Sequence, residues 1–428
     1  MDRILISGGQ ALRGEIRVSG AKNAALPILA SSILSAEESL ITNVPDVKDV
    51  TTMCQLLALL GVAVARDRGR VAFSARAVSS AEAPYEMVKT MRASILVLGP
   101  LLARCGEATV SLPGGCAIGT RPVNLHLAGL VQMGAEVSVE HGYVKAKARR
   151  LRGARIALDV PTVTGTENLM MAAALAEGTT MIENAAKEPE VVDLATFLVK
   201  RGARIAGAGT DLITIEGVPE LRGADHEVIP DRIEAGTYLA AGAITGGELS
   251  VNACRPGNLE AVVLKLREAG VQVTEGKENV KMKISRRVRS VDVRTFAYPG
   301  FPTDMQAQML ALMSVADGTS VIVETVFESR FIHVPELRRM GADIKVDGNH
   351  AVVKGIAKLT GAPVMASDLR ASAGLILAGL AGEGETEVSR VYHLDRGYER
   401  IVDKLQGVGA AIRRIQSKSS RAVGEGVK

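Results

Sequence analysis

Six times along the chain an apolar helical pattern stops at a glycine and a short alternating pattern follows it. The breaks are Leu60-Gly61-Val62, Met133-Gly134-Ala135, Arg201-Gly202-Ala203, Ala269-Gly270-Val271, Met340-Gly341-Ala342 and Val408-Gly409-Ala410. A glycine after an apolar helix is the usual C-terminal cap, and period-two alternation after it predicts a strand. The intervals from Gly61 to Gly134, Gly202, Gly270, Gly341 and Gly409 are 73, 68, 68, 71 and 68 residues, so the chain is a repeat. A second marker keeps step: Gly106, Gly178, Gly247, Gly318 and Gly384 each follow an Ala/Leu/Met-rich helix and precede a strand-like alternation, with Glu37-Glu38 in that place in the first copy. Each unit reads helix, turn, strand, loop, helix, glycine cap, hairpin. The hairpin strands are visible as Val62–Arg66 with Val71–Ser74 and as Ile344–Val346 with Ala351–Lys354.

Two helices and several strands per unit predict an α/β protein. Units of about 70 residues exceed usual solenoid repeats, so they group as two domains of three. The join is expected near residues 217–230, a Pro/Gly/acidic stretch, with residues 1–21 preceding the first unit and 416–428 forming a disordered tail. The 428 residues suffice for two substantial cores. With only 3% aromatics and no Trp, those cores are aliphatic, and base stacking on nucleic acid is disfavoured. A net charge of +4 from 51 basic and 47 acidic residues allows local basic pockets but no general polyanion binding. Four cysteines without metal-type spacing suit a reducing compartment. No apolar run approaches membrane-spanning length, and the start lacks a signal-peptide core, so a cytoplasmic, membrane-free protein is expected.

Two positions recur in every unit with polar residues that packing does not need. Leading helices begin with Lys22-Asn23, Arg92, Thr166-Glu167, Asp231-Arg232, Thr303-Asp304, and Asp368 with Arg370. Loops after the strand carry Lys48, Arg121, Lys187-Glu188, Arg255, Arg330 and Arg396. Equivalent positions in repeated units share one end of each domain. The loop cations and the positive helix N-termini are therefore expected to form an anion site in a cleft between domains. One loop is enlarged, Ser111-Leu112-Pro113-Gly114-Gly115-Cys116-Ala117-Ile118-Gly119-Thr120-Arg121-Pro122, with a lone thiol five residues before an arginine. Nearby positive charge favours a reactive thiolate. No Walker segment, histidine pair or metal-ligand cluster is visible, which leaves group transfer between two anionic small molecules, without a metal or cofactor.

At these residues the chain resembles the UDP-N-acetylglucosamine 1-carboxyvinyltransferases, a branch of the enolpyruvyl transferases. The motifs are Ser19-Gly20-Ala21-Lys22-Asn23-Ala24-Ala25-Leu26-Pro27, Met91-Arg92-Ala93-Ser94, Leu112-Pro113-Gly114-Gly115-Cys116, Arg121-Pro122-Val123, Pro299-Gly300-Phe301-Pro302-Thr303-Asp304, Asp368-Leu369-Arg370 and Asp395-Arg396-Gly397-Tyr398. The resemblance runs from Gly9 to about Ile412. It implies two inside-out α/β barrel domains of three βαβαββ-type units, one of residues 22–230 and one of residues 1–21 and 231–428, the N-terminal strands belonging to the second.

The implied reaction moves the enolpyruvyl group of phosphoenolpyruvate to the 3-hydroxyl of UDP-N-acetylglucosamine and releases phosphate, through a tetrahedral phospho-ketal. That is the first committed step of peptidoglycan synthesis. By matching motif, Asp304 takes the hydroxyl proton and Cys116 serves as acid or transient nucleophile, the thiol fosfomycin attacks in this family. Lys22, Arg92, Arg121, Arg370 and Arg396 bind phosphoenolpyruvate, and Asn23 holds the sugar. Arg121, Pro122, Val123, Leu125 and Thr162-Val163-Thr164-Gly165 meet the nucleotide, with Val326, Arg330 and Asp368 completing the substrate contacts. Asn124 stands where many members have Asp. Two other readings fit less well: the sister transferase acting on shikimate 3-phosphate, which lacks the Pro-Gly-Gly-Cys lid, and a non-catalytic nucleotide-sugar-binding regulator, which needs neither base nor thiol.

Overall fold

The computed structural model describes residues 2–112 and 123–416. They form six four-stranded sheets of one repeated topology. The third shows it in full. Arg155–Ala157 lies parallel to Thr179–Glu183, which pairs antiparallel with Leu212–Glu216, itself antiparallel to Arg204–Ala206. Helix Val163–Ala173 makes the parallel crossover and helix Pro189–Lys200 leads to the hairpin. All six cap glycines adopt left-handed φ, between 90° and 101°, as a helix-ending turn requires. Gly106, Gly178, Gly318 and Gly384 are left-handed too, but in the fourth unit that role falls to Gly246 (φ 70°). Gly247 is needed for another reason: a Cβ there would lie 2.2 Å from the Leu12 carbonyl oxygen.

The sheets are not closed unit by unit. Arg13–Arg17 adds a parallel edge to Glu248–Asn252, and His226–Glu227 adds one to Ser39–Thr42. In the sixth sheet Arg3–Ser7 inserts between Glu385–Ser389 and Ala411–Ile415, antiparallel to both. The last unit thus lacks the hairpin expected of it, and the start of the chain fills the gap. The reason is packing: Ile4 and Ile6 are fully buried there and complete the inner face.

The buried apolar residues form two clusters. One draws on Ala21 to Ile229, the other on Ile4 to Val18 together with Ile233 to Ile412. Each is inside-out, because its helices run through the middle. Arg232–Ile244, Gln306–Ser314 and Leu369–Ala381 pack on one another and are apolar almost all round. Small residues let their backbones approach; a Cβ on Gly374 would sit 2.8 Å from the Ala307 carbonyl oxygen. The chain passes between the cores twice, at residues 19–20 and 230–231, where Gly20 bridges Pro230 and Ala21 N–H donates to Ile229.

Two predictions follow from this packing. At the crossing, a Cβ on Gly20 would fall 1.7 Å from the backbone oxygen of Asn43, which cannot swing away as a side chain would. Gly20→Ala is expected to destabilise by about 3 kcal/mol, read as a lower urea midpoint. Deep in the cores, burial pushes His126 and His333 down to about 4 from an ordinary 6.5. Between those values these two rings bind protons in the unfolded chain that the fold refuses, so they cost stability as pH drops from 6.5 toward 4, while the raised carboxyls of Glu167, Glu188 and Glu234 act in the opposite sense. Relative to wild type, His126→Phe is expected to gain urea midpoint at pH 5 over pH 7, and an identical pH response in the two proteins would contradict this.

Candidate active site

The site begins with what the helix starts expose. Asp231 caps its helix by accepting from Ile233 and Glu234 N–H at 2.8 and 3.0 Å, and Asp368 does the same for Arg370 and Ala371 at 2.9 and 3.0 Å. Asp368 thereby has a structural task, and it presents Arg370 in the first helical turn. Asp304 lies on the one-turn 3-10 helix Thr303–Met305. Glu324 holds that turn and the next loop together. Its carboxylate accepts from Thr295 and Thr303 hydroxyls at 2.8 Å and from Val326 and Phe327 N–H at 2.8 and 3.1 Å.

Two carboxylates, the half-buried Asp304 and the buried Asp49, gather the cations. Arg330 Nη2 donates to Asp304 Oδ1 at 3.0 Å, while Arg370 Nε and Nη2 donate to Oδ2 at 3.1 and 2.8 Å. Arg330 and Arg370 are each 3% exposed, yet one guanidinium nitrogen on each, Nη1, is buried with no hydrogen-bond partner. Burial opposes the charge of Arg370, but Asp304, Tyr398 and Asp231 outweigh it and hold its pKa above the ordinary value. Gln308 ties the Tyr398 segment to the same place, donating to the Asp304 carbonyl at 3.0 Å and to Tyr398 at 3.2 Å.

The second carboxylate is Asp49, in the first turn of helix Lys48–Leu59. Arg396 Nε donates to Asp49 Oδ1 at 2.9 Å, and Lys22 Nζ reaches Oδ2 at 3.4 Å. Burial lowers the Lys22 pKa and Arg370 and Arg396 lower it further, while Asp49 and Asp304 oppose them. The two carboxylates and their cations therefore act on one lysine and make one electrostatic site.

That site lies between the two cores. Asp49 and Arg396 come from different clusters, as do Glu190 and Arg232, paired at 3.0 Å. Glu188 adds a contact, accepting from Tyr298 N–H at 3.4 Å. Such an arrangement can hold a small dianion with several charge-assisted hydrogen bonds, and an incoming phosphate or carboxylate would displace an aspartate from the same donors.

Of the loop cations expected to meet, Arg330 and Arg396 belong to these clusters. Lys187 faces Asp211 at 3.9 Å, and Lys48 and Arg255 are exposed, with no contact among the described residues tying these three to the site. Arg92 starts the turn Arg92–Val97 and is half-buried, as is Asn23. Val326 is exposed and reaches Glu324 through its backbone. Thr162 caps helix Val163–Ala173 by accepting from Gly165 N–H at 3.3 Å, and Val123, Leu125 and Val163 pack on the N-terminal core. Cys116, Arg121 and Pro122 lie outside the described residues. Among described cysteines, burial raises the Cys54 thiol and pushes Cys254 up to about 11, which leaves both poor nucleophiles.

Sequence reasoning missed Asp49, Glu190 and Glu324. Asp49 sits beside Lys48, and an acid in a first helical turn reads as an ordinary dipole partner. Nothing local announces an arginine 347 positions away.

Comparison with known proteins agrees with this geometry. The family described as EPSP synthase (3-phosphoshikimate 1-carboxyvinyltransferase) matches residues 6–405. The crystal structure of the enolpyruvyl transferase NikO from Streptomyces tendae superposes with a TM-score of 0.87 at 28% identity, covering 96% of this chain and 98% of that one. EPSP synthase from Acinetobacter baumannii gives 0.76 at 18% identity, over 97% and 100% of the two chains, a likeness of fold. With the match spanning nearly the whole chain and both cores laid out as in these structures, the protein belongs to the EPSP synthase family and is an enolpyruvyl transferase.

Proposed function

We propose that the acceptor for this enolpyruvyl transfer is the 3-hydroxyl of UDP-N-acetylglucosamine, with phosphoenolpyruvate as donor and phosphate released. The observation that carries the reading is Pro113-Gly114-Gly115-Cys116 followed by Arg121, a glycine-rich loop with one thiol that a shikimate 3-phosphate enzyme does not need. The cations gathered around Asp49 and Asp304 suit phosphoenolpyruvate, which carries a phosphate and a carboxylate.

In this reading the cleft lies between residues 22–230 and the body made by 1–21 and 231–428. Lys22, Arg92, Arg121, Arg370 and Arg396 take the phosphate and carboxylate, and Asn23 holds the sugar. Asp304 is saturated by two guanidiniums, so it becomes a base only when one of them is drawn off. Phosphoenolpyruvate does that by engaging Arg370, which exposes a carboxylate oxygen to the sugar hydroxyl. Donor binding thereby prepares the base, and the hydroxyl adds to the enol carbon that the cations have polarised. Cys116 acts as the acid or transient nucleophile toward phosphoenolpyruvate, and after the ketal loses phosphate it helps product leave. Arg121, Pro122, Val123, Leu125 and Thr162–Gly165 meet the nucleotide, with Val326, Arg330 and Asp368 completing the substrate contacts. Closing the Cys116 loop excludes water and strengthens each charge contact.

Phosphate release from phosphoenolpyruvate tests the substrate. Release with UDP-N-acetylglucosamine and none with shikimate 3-phosphate is expected; the reverse would transfer the protein to the sister reaction. Binding of the nucleotide sugar without turnover would favour a regulator. Cys116→Ser tests the thiol. It is expected to lose about 99% or more of phosphate release, roughly a general acid's contribution, while nucleotide-sugar binding by calorimetry stays intact. Full turnover in that variant would remove Cys116 from the mechanism.

A further inference from the structure

Three helices meet around a buried histidine beside the segment Thr162–Gly165. His126 belongs to helix Asn124–Gln132, Asn168 to helix Val163–Ala173, and Gly99 to helix Leu98–Cys105. His126 is 2% exposed and Asn168 is 1% exposed. The approach is close enough that a Cβ on Gly99 would fall 2.4 Å from both the carbonyl and Oδ1 of Asn168.

The protons of this cluster can be assigned from its partners. Gly99 N–H donates at 2.6 Å to Asn168 Oδ1, and Asn168 Nδ2 donates at 2.9 Å to the Ile95 carbonyl, which fixes which way the amide points. The same Nδ2 stands 3.1 Å from His126 Nδ1. An amide nitrogen only donates, so Nδ1 must accept and the ring carries its single proton on Nε2. Nε2 lies 3.4 Å from the Thr164 hydroxyl, whose oxygen must therefore accept. That leaves the Thr164 hydrogen to point elsewhere. Thr164 is half-buried in the first turn of its helix, beside N–H groups that also donate.

We propose that His126, oriented by Asn168, frees the Thr164 hydrogen to donate toward the acceptor substrate and so acts as a positioning residue for an oxygen-rich, phosphate-bearing group. The inference rests on the proposed placement of the nucleotide at Thr162–Gly165. The joint effect of His126 and Asn168 is to turn the Thr164 hydrogen away from the ring, so that the hydroxyl offers its one donor to an acceptor oxygen of the substrate.

The test combines a spectrum with kinetics. In uniformly 15N-labelled protein at pH 7, with His126→Phe identifying the signal, the His126 ring is expected to show a pyridine-like Nδ1 and a protonated Nε2. Thr164→Val is expected to raise KM for the acceptor roughly tenfold, as for one lost hydrogen bond to a charged group, with KM for phosphoenolpyruvate unchanged. His126→Phe should raise the acceptor KM several-fold in the wild-type background and not at all in Thr164→Val, since the two act through one hydroxyl. A ring protonated on Nδ1 overturns the proton assignment. A His126→Phe effect of equal size in both backgrounds overturns the route through Thr164 and leaves His126 a packing residue. An acceptor KM unmoved by Thr164→Val, with the ring as expected, overturns the nucleotide placement on which the inference rests.

Discussion

Cations that are to grip a dianion must stand close together, and in a pocket shielded from water they repel one another. The structure answers that constraint with Asp49 and Asp304. Arg330 and Arg370 share one carboxylate, and Lys22 and Arg396 share the other. Without them, the four positive charges of Lys22, Arg330, Arg370 and Arg396 would face each other across the site. The cost to Lys22, whose pKa is already depressed by burial and by two arginines, would be greater still. A carboxylate that an anionic substrate can replace is a reasonable way to keep such a site assembled and open to exchange.

The same pairs bind the two cores to each other. Asp49–Arg396 and Glu190–Arg232 join residues from different hydrophobic clusters, so the charges that define the site also set how far apart its walls stand. The covalent joint is narrow by comparison, two crossings with Gly20 against Asn43 and Pro230. Substrate that draws Arg396 toward itself acts on an inter-core contact at once, which couples binding to domain position without a separate device.

Repetition explains why the charged residues converge at all. Each unit sends its leading helix inward and apolar, its second helix outside, and its sheet to solvent. Helices such as Leu369–Ala381 are buried nearly all round and can carry polar groups only at their ends. The site's polar side chains therefore fall at helix starts and on the loops beside them, which is where Lys22, Asp304 and Arg370 occur. Some of those polar residues serve the helix first. Asp231 and Asp368 cap, and in doing so aim their neighbours.

The sequence by itself determined the α/β class, the six units and the glycine turns, because a helix cap and strand alternation are local, and φ near +90° leaves glycine as the unstrained choice. Its motifs also pointed to enolpyruvyl transfer and to the helix starts that carry Lys22, Asp304 and Arg370. It could not show that Arg3–Ser7 would complete the last sheet, since a strand's partners are chosen by which edge is open and which face is apolar. Nor could it show that Asp49 would meet Arg396, that Glu324 would pin the Asp304 turn, or that Asn168 would set the proton on His126. Those are contacts between distant segments, where packing around two cores and the balance of buried charge decide which groups meet. Only the tertiary structure makes that choice.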